Sequence, residues 1–195
     1  GRPVAAPSAN TSGKLSPTCA SDVQADLGER VPLIIDGGPC GVGIESTIIH
    51  IHASGEAITL LRPGTLTADE ISAVAGMPVQ HYEGSDITAP GQITSHYAPN
   101  ASLRLNAHTP EDGEVYIGFG ASVSGPVASN IPHLTLSPAG DLSEAARTLF
   151  SVLRAADTHN KPIAVAPIPN IGIGLAVNDR LSRAAAPRIT HSEKP

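Results

Sequence analysis

Residues 141–169, DLSEAARTLFSVLRAADTHNKPIAVAPIP, set one amphipathic helix beside one buried strand. From Asp141 to Ala156 the residues Leu142, Ala145, Leu149, Phe150 and Leu153 recur at three- and four-residue spacing, so one face of a helix carries them all. Asp141 is a natural N-cap, and Glu144, three residues on, completes the pattern of a capping box. Ile163-Ala164-Val165-Ala166 is short and apolar throughout, as in a strand covered on both faces. Val115-Tyr116-Ile117-Gly118-Phe119 reads the same way, and Asn178 can cap a last helix through Ala186. Strands alternating with helices over about 90 residues predict a small parallel α/β domain, ending in a frayed tail from Thr190 to Pro195.

Toward the N-terminus the punctuation is also legible. Ser16 as N-cap, Pro17 at the first helical position and Gly28 past the end predict a helix. Val31 to Asp36 is a short apolar run ending in Gly37-Gly38, a buried-strand signature. Ser46 to His52 and Ala57 to Arg62, joined at Ser54-Gly55-Glu56, predict a β-hairpin. Thr67-Ala68-Asp69-Glu70 is a capping box opening a helix that stops at Gly76. From Met77 to about Asn100, Pro78, Gly84, Pro90, Gly91 and Pro99 leave no room for a long element, which marks a linker.

Charge and composition narrow the function. Net charge is −6: residues 1–99 hold four Lys/Arg against ten Asp/Glu, and residues 100–195 hold eight against eight. Neither half supplies the basic stripe of a nucleic-acid surface, so direct tRNA or DNA binding is disfavoured. No apolar run approaches a membrane span, and Gly1-Arg2-Pro3 has no signal-peptide pattern. Cys19 and Cys40 form neither a CxxC pair nor a disulfide framework, which fits a cytoplasmic protein.

Four stretches carry candidate chemistry. In PVAAPSANTSGKLSPT (residues 3–18), Ser8, Asn10, Thr11 and Ser12 place hydroxyls, an amide and backbone N–H groups before a helix, a setting suited to phosphate; the same residues are common in plain loops. DGGPCGVGIEST (residues 36–47) has four glycines in seven positions, which fits an anion-binding nest or a tight bend in a sheet. It is neither a Walker A loop nor a dinucleotide fingerprint. Arg62, before Pro63-Gly64, is either a phosphate clamp or a solvated strand-end charge. His96-Tyr97 suits a lid or a surface packing pair. No histidine spacing supports a metal site, His50 and His52 facing the same way on one strand; Asp36 and Glu45 flank the glycine loop, where they can stabilise a turn or hold Mg²⁺.

Taken in order, PVAAPSANTSGKLSPT, DGGPCGVGIESTII, LRPGTLTADEI, APGQITSHYAPN and GIGLAVNDRLSRAA resemble the threonylcarbamoyl-AMP synthase family, and the resemblance covers essentially the whole chain. It implies an α/β fold: the C-terminal half of a YrdC-type twisted mixed sheet with helices (residues 1–80), a linker with an H-Y-x-P motif (81–100), a small Rossmann-like parallel α/β domain (101–190) and a tail (191–195). It also implies a nucleotidyltransferase that makes L-threonylcarbamoyl-adenylate and pyrophosphate from ATP, with Mg²⁺, L-threonine and bicarbonate or CO₂. The product would pass to a separate tRNA threonylcarbamoyl transferase complex. Residue by residue, the resemblance implies ATP contacts at Ser8, Asn10, Ser16 and Arg62, threonine contacts at Ala6 and Ser46, and an active-site lid at His96, Tyr97 and Pro99. No residue matches a certain catalytic group.

The family's Lys-x-Arg motif has no counterpart here. The expectation is therefore a chain that carries one wall of the nucleotide site and is inactive by itself. Two alternatives stand beside it: a non-catalytic nucleotide-binding or regulatory module, and a carbamoyl-adenylate-forming relative from hydrogenase maturation. The H-Y-x-P linker and the trailing α/β domain argue against the second.

Overall fold

The computed structural model describes residues 1–3, 6–82, 84, 96–121 and 132–187. The expected tail from Thr190 to Pro195, and Ala89 to Ser95 of the linker motif, lie outside these residues. Among the described residues two sheets form, one of three strands and one of four.

The first sheet is built on the expected hairpin. Strands β1 (Ile48–Ile51) and β2 (Ile58–Arg62) pair antiparallel, with a register irregularity between Ile48 and Ile49. Strand β2 alternates as its sequence requires, with Ile58, Leu60 and Arg62 inward. Helix α2 (Ala68–Ala75) opens on the complete capping box of Thr67 and Glu70 and ends at Gly76, whose φ of +69° glycine adopts without strain. The chain then returns as β3 (Val79–His81), parallel to β2, at the start of the expected linker.

The run from Val31 to Asp36 is not a strand. It finds no ladder among the described residues, and Leu33 and Ile35 stand 72% and 84% exposed. Helix α1 (Ala20–Leu27) also begins later than expected, with Cys19 rather than Ser16 at its N-cap, and a short 3₁₀ turn, Gly28–Arg30, follows it. Ser16 is buried and its hydroxyl is engaged by Glu45, so it cannot cap. Asp22 reaches back instead, taking the Thr18 N–H at 2.8 Å.

The second sheet is entirely parallel, in the order β4 (Leu103–Arg104), β7 (Ile163–Val165), β5 (Val115–Gly118), β6 (His133–Thr135). Strands β5 and β7 are buried along their whole length, as their apolar runs predict. Helix α3 (Leu142–Asp157) covers the sheet with Ala145, Ala146, Leu149, Phe150, Leu153 and Ala156. Burying side chains such as Leu149 and Phe150 stabilises the fold by roughly 1.5–3 kcal/mol each. Asp141 caps α3, but the box is not closed: the Glu144 carboxylate takes the Ser137 hydroxyl at 2.5 Å instead.

Helix α4 (Gly174–Ala185) begins before Asn178, which is therefore not its cap. The Asn178 side chain holds the preceding loop, donating to the Ile168 carbonyl and to Asn170 at 3.1 Å. The core around this sheet continues to Leu15, Ile44 and Tyr97, so the glycine loop and the linker pack onto the same hydrophobic cluster.

Candidate functional site

The segments singled out in the sequence converge because a few side chains cross between them. Arg62 ends β2 buried, at 7% exposure, so it is not a solvated strand-end charge. Its Nε and Nη2 donate to the Ser46 carbonyl at 3.1 and 2.8 Å, and Nη2 approaches the Ser46 hydroxyl at 3.4 Å. Thus the residues expected on the nucleotide and on threonine lie against each other.

Glu45, the residue before Ser46, joins this pair to the opening stretch. One carboxylate oxygen accepts the Ser16 hydroxyl at 2.5 Å; the other accepts Nε of Arg180, from α4, at 3.1 Å. Glu45 is therefore engaged by Ser16 and Arg180, and Asp36 accepts the Gly38 N–H at 2.8 Å in the turn-stabilising role. Among the described residues no three of His, Cys, Asp and Glu gather to hold a metal ion.

Asn10 braces its own turn. Its Nδ2 donates to the Thr11 and Lys14 carbonyls at 3.0 and 3.1 Å, while its buried Oδ1 has no hydrogen-bond partner among the described residues. Ala6 and Ser8, nearer the N-terminus, are exposed. The linker motif closes on this stretch from the other side: Ala98 N–H donates to the Gly13 carbonyl at 2.9 Å, and Lys14 Nζ donates to Asn100 Oδ1 at 2.7 Å. Asp157, at the end of α3, then takes the backbone N–H groups of Asn100 and Ala101 at 2.9 and 2.8 Å.

The three residues expected to form a lid are packed inward. Tyr97 is 1% exposed at φ +58°, with its ring 4.1 Å from that of His96 and 5.5 Å from that of Phe150. Pro99 is buried. His96 N–H donates to the Arg183 carbonyl at 3.3 Å, and the buried His96 Nδ1 has no hydrogen-bond partner among the described residues. Burial holds the His96 imidazole below its usual pKa; the Glu45 carboxylate opposes this, and the Arg183, Arg62 and Arg180 guanidinium groups reinforce it. Burial likewise pushes the Tyr97 phenol up.

Residues 66–186 match the family model for the C-terminal domain of threonylcarbamoyl-AMP synthase, and residues 1–64 match a model described as telomere recombination. The chain belongs to the threonylcarbamoyl-AMP synthase family. The Bacillus subtilis threonylcarbamoyl-AMP synthase is 35% identical over 97% of this chain, and the Pyrococcus abyssi one is 36% identical over 96%. The chain covers 59% of the length of each. Among solved structures, P. abyssi Sua5 complexed with L-threonine superposes with a TM-score of 0.74 at 32% identity, covering 92% of this chain and 56% of that one. A variant of the same protein, with a consecutive His–Tyr pair replaced by alanine, superposes at 0.73.

Within this family member, the residues brought together are Ser16, Glu45, Ser46, Arg62, His96 and Tyr97. Ala6 and Ser8 are exposed at the surface. Arg180 was not among the expected site residues, yet it reaches Glu45, the Pro63 carbonyl beside Arg62 and the Tyr97 ring. A signal for it existed: Ala176, Val177, Leu181 and Ala184 form the apolar face of α4, and Arg180 falls on that face. A cleft of about 720 Å³ between α1, α3 and the linker is lined by Lys14, Asp22, Asp26, Arg154 and Asp157. Of the candidate residues, Pro99 of the linker motif and Thr11 of the opening stretch reach it.

Proposed function

We propose that these residues serve an L-threonylcarbamoyladenylate synthase. The amine of L-threonine adds to CO₂ derived from bicarbonate and loses a proton, giving a carbamate. A carbamate oxygen then attacks the α-phosphorus of ATP, and the bond to pyrophosphate breaks. The observation that carries this reading is the contact of Arg62 with Ser46 beside the Ser16–Glu45 hydrogen bond, in a chain similar to a synthase solved with L-threonine. It supports adjacent nucleotide and amino-acid sites, the requirement for joining the two substrates.

In this account Ser8, Asn10, Ser16 and Arg62 face ATP, and Ala6 and Ser46 face threonine. His96, Tyr97 and Pro99 close over the reacting groups and keep water from the carbamate and the adenylate. Mg²⁺ enters with ATP as its counter-ion, and no protein ligand is assigned to it. The acidic balance of residues 1–99 supports a protein that hands its product to a tRNA-modifying transferase complex rather than binding tRNA itself. A cytoplasmic location fits this role. No helix among the described residues is long and apolar enough to cross a membrane.

The test is to incubate the full-length protein, as the cell makes it, with ATP, Mg²⁺, L-threonine and labelled bicarbonate. Labelled threonylcarbamoyl-AMP identified by mass supports the proposal. Its absence from protein shown to be folded contradicts it.

A further inference from the structure

Arg180 is fully buried, and each group it touches lies in or beside the proposed site. Its Nε meets Glu45 Oε2 at 3.1 Å and its Nη2 the Glu45 carbonyl at 3.4 Å. Its Nη1 donates to the Pro63 carbonyl, one residue after Arg62, and meets Asp179 Oδ2 at 3.1 Å. The guanidinium lies 5.7 Å from the centre of the Tyr97 ring. One side chain from α4 thus holds the turn before Ser46, the loop after Arg62 and the Tyr of the linker motif.

Burying a guanidinium is costly unless its donors are matched, so an arginine on an apolar helix face needs a reason for being there. A link serving only to hold α4 down would be met as well by an aliphatic residue beside Val177 and Leu181. The placement of its acceptors supplies another reason. Glu45 cannot move without moving both Ser16, through its other oxygen, and Ser46, through the backbone.

We infer that Arg180 is a positioning residue for the adenylation reaction, acting through Glu45 and Tyr97 to keep the nucleotide-side and threonine-side groups in register. This rests on the function proposed above. It makes α4 part of the machinery of the site rather than a separate appendage. Arg180 acts through these groups rather than on substrate; a planar fork spanning a carboxylate and a backbone carbonyl does what an ammonium on a flexible stem cannot.

The test is steady-state kinetics on the full-length protein and its Arg180→Lys, Glu45→Gln and doubly substituted forms. Arg180→Lys is expected to raise the KM for L-threonine roughly tenfold or more. Glu45→Gln is expected to do the same, and the double variant to be no worse than the worse single one. Loss of folded protein alone lowers kcat and leaves KM where it was. Should Arg180→Lys fail to fold, Glu45→Gln decides: a raised KM supports the role and an unchanged KM overturns it. Unchanged KM values in both folded variants, or effects that multiply in the double variant, overturn it too. A wild-type protein that forms no product overturns the functional reading and this role together; an active wild type with unmoved variants overturns the role alone.

Discussion

Arg154 of α3 and Asp26 of α1 form a two-pronged ion pair, with Nη2–Oδ2 at 2.7 Å and Nη1–Oδ1 at 3.1 Å. The same guanidinium donates to the Leu15 carbonyl at 2.6 Å and lies 3.7 Å from Asp22. It fastens the opening stretch to the parallel sheet's covering helix, much as Arg180 fastens the glycine loop.

Replacing Arg154 by alanine should therefore lower the unfolding free energy by about 2 kcal/mol, since the Asp26 carboxylate and the Leu15 carbonyl lose their donor and Asp22 loses a nearby positive charge. Burial pushes the Asp22 carboxyl up, but hydrogen bonds from Thr18 and Cys19 and the charge of Arg154 outweigh it and hold the group below its usual range. A carboxyl depressed in the folded state contributes stability that is present above its unfolded pKa and is lost as pH falls through the folded value. The gap between wild type and Arg154→Ala should thus narrow below about pH 4. Urea unfolding at pH 7 and pH 3 measures it; a gap that widens at pH 3 contradicts the assignment.

Gly43 has φ +83°, and a Cβ on it would lie 2.3 Å from the Arg147 carbonyl oxygen on α3. Gly38 has a similar φ of +85°, and a Cβ there would meet nothing within 4 Å among the described residues. Gly43→Ala should cost ~1–3 kcal/mol of overpacking beyond the backbone strain, whereas Gly38→Ala should show only strain of roughly 1–2 kcal/mol. Chemical denaturation of the two variants separates the effects, and equal losses would rule out the close approach.

How legible this was depended on whether local chemistry or a distant partner decides an element. The Thr67–Glu70 box and the Ile48–Arg62 hairpin carry their own signals, and both formed. The run Val31–Asp36 has the composition of a strand, but a strand also needs a neighbour, and apolarity alone does not supply one. Ser16 has cap chemistry, yet a carboxylate 29 residues away took its hydroxyl. Strands β4 and β6 are too short to leave a period. The expected nucleotide and threonine residues could be named from the order of motifs. Arg180 lies inside the last of those motifs, yet no role was expected of it; its signal was that it breaks the apolar face of its helix.

The state of His96 gives a pH-dependent test. Burial disfavours the imidazolium, with Glu45 favouring it and three arginines opposing it. Its folded pKa is depressed, so the stability it confers is present above the unfolded value near 6.5 and disappears as pH falls through the folded one. The imidazole should be neutral at pH 7. Its NMR titration midpoint should lie below 6.5 in the wild type and lower still in Glu45→Gln. A midpoint above 6.5 contradicts the burial of this ring.

The core is unevenly distributed, which predicts where the chain yields first. Val115, Ile117, Leu149, Leu153, Ile163 and Val165 are fully buried around the parallel sheet, whereas Leu33, Ile35, Ile51, Leu66 and Val74 are at least half exposed. Limited proteolysis of the 195-residue chain should cut within residues 1–80 at least tenfold faster than within the helices and strands of residues 103–185. Early loss of α3 with survival of the hairpin would be the opposite order.

The most direct measurement of the central claim is pyrophosphate release from ATP by the full-length protein in bicarbonate, with and without L-threonine. Adjacent nucleotide and threonine sites predict release that depends on threonine and falls at least tenfold in Arg62→Ala. Release that is indifferent to threonine, or undiminished by the loss of Arg62, would contradict the account.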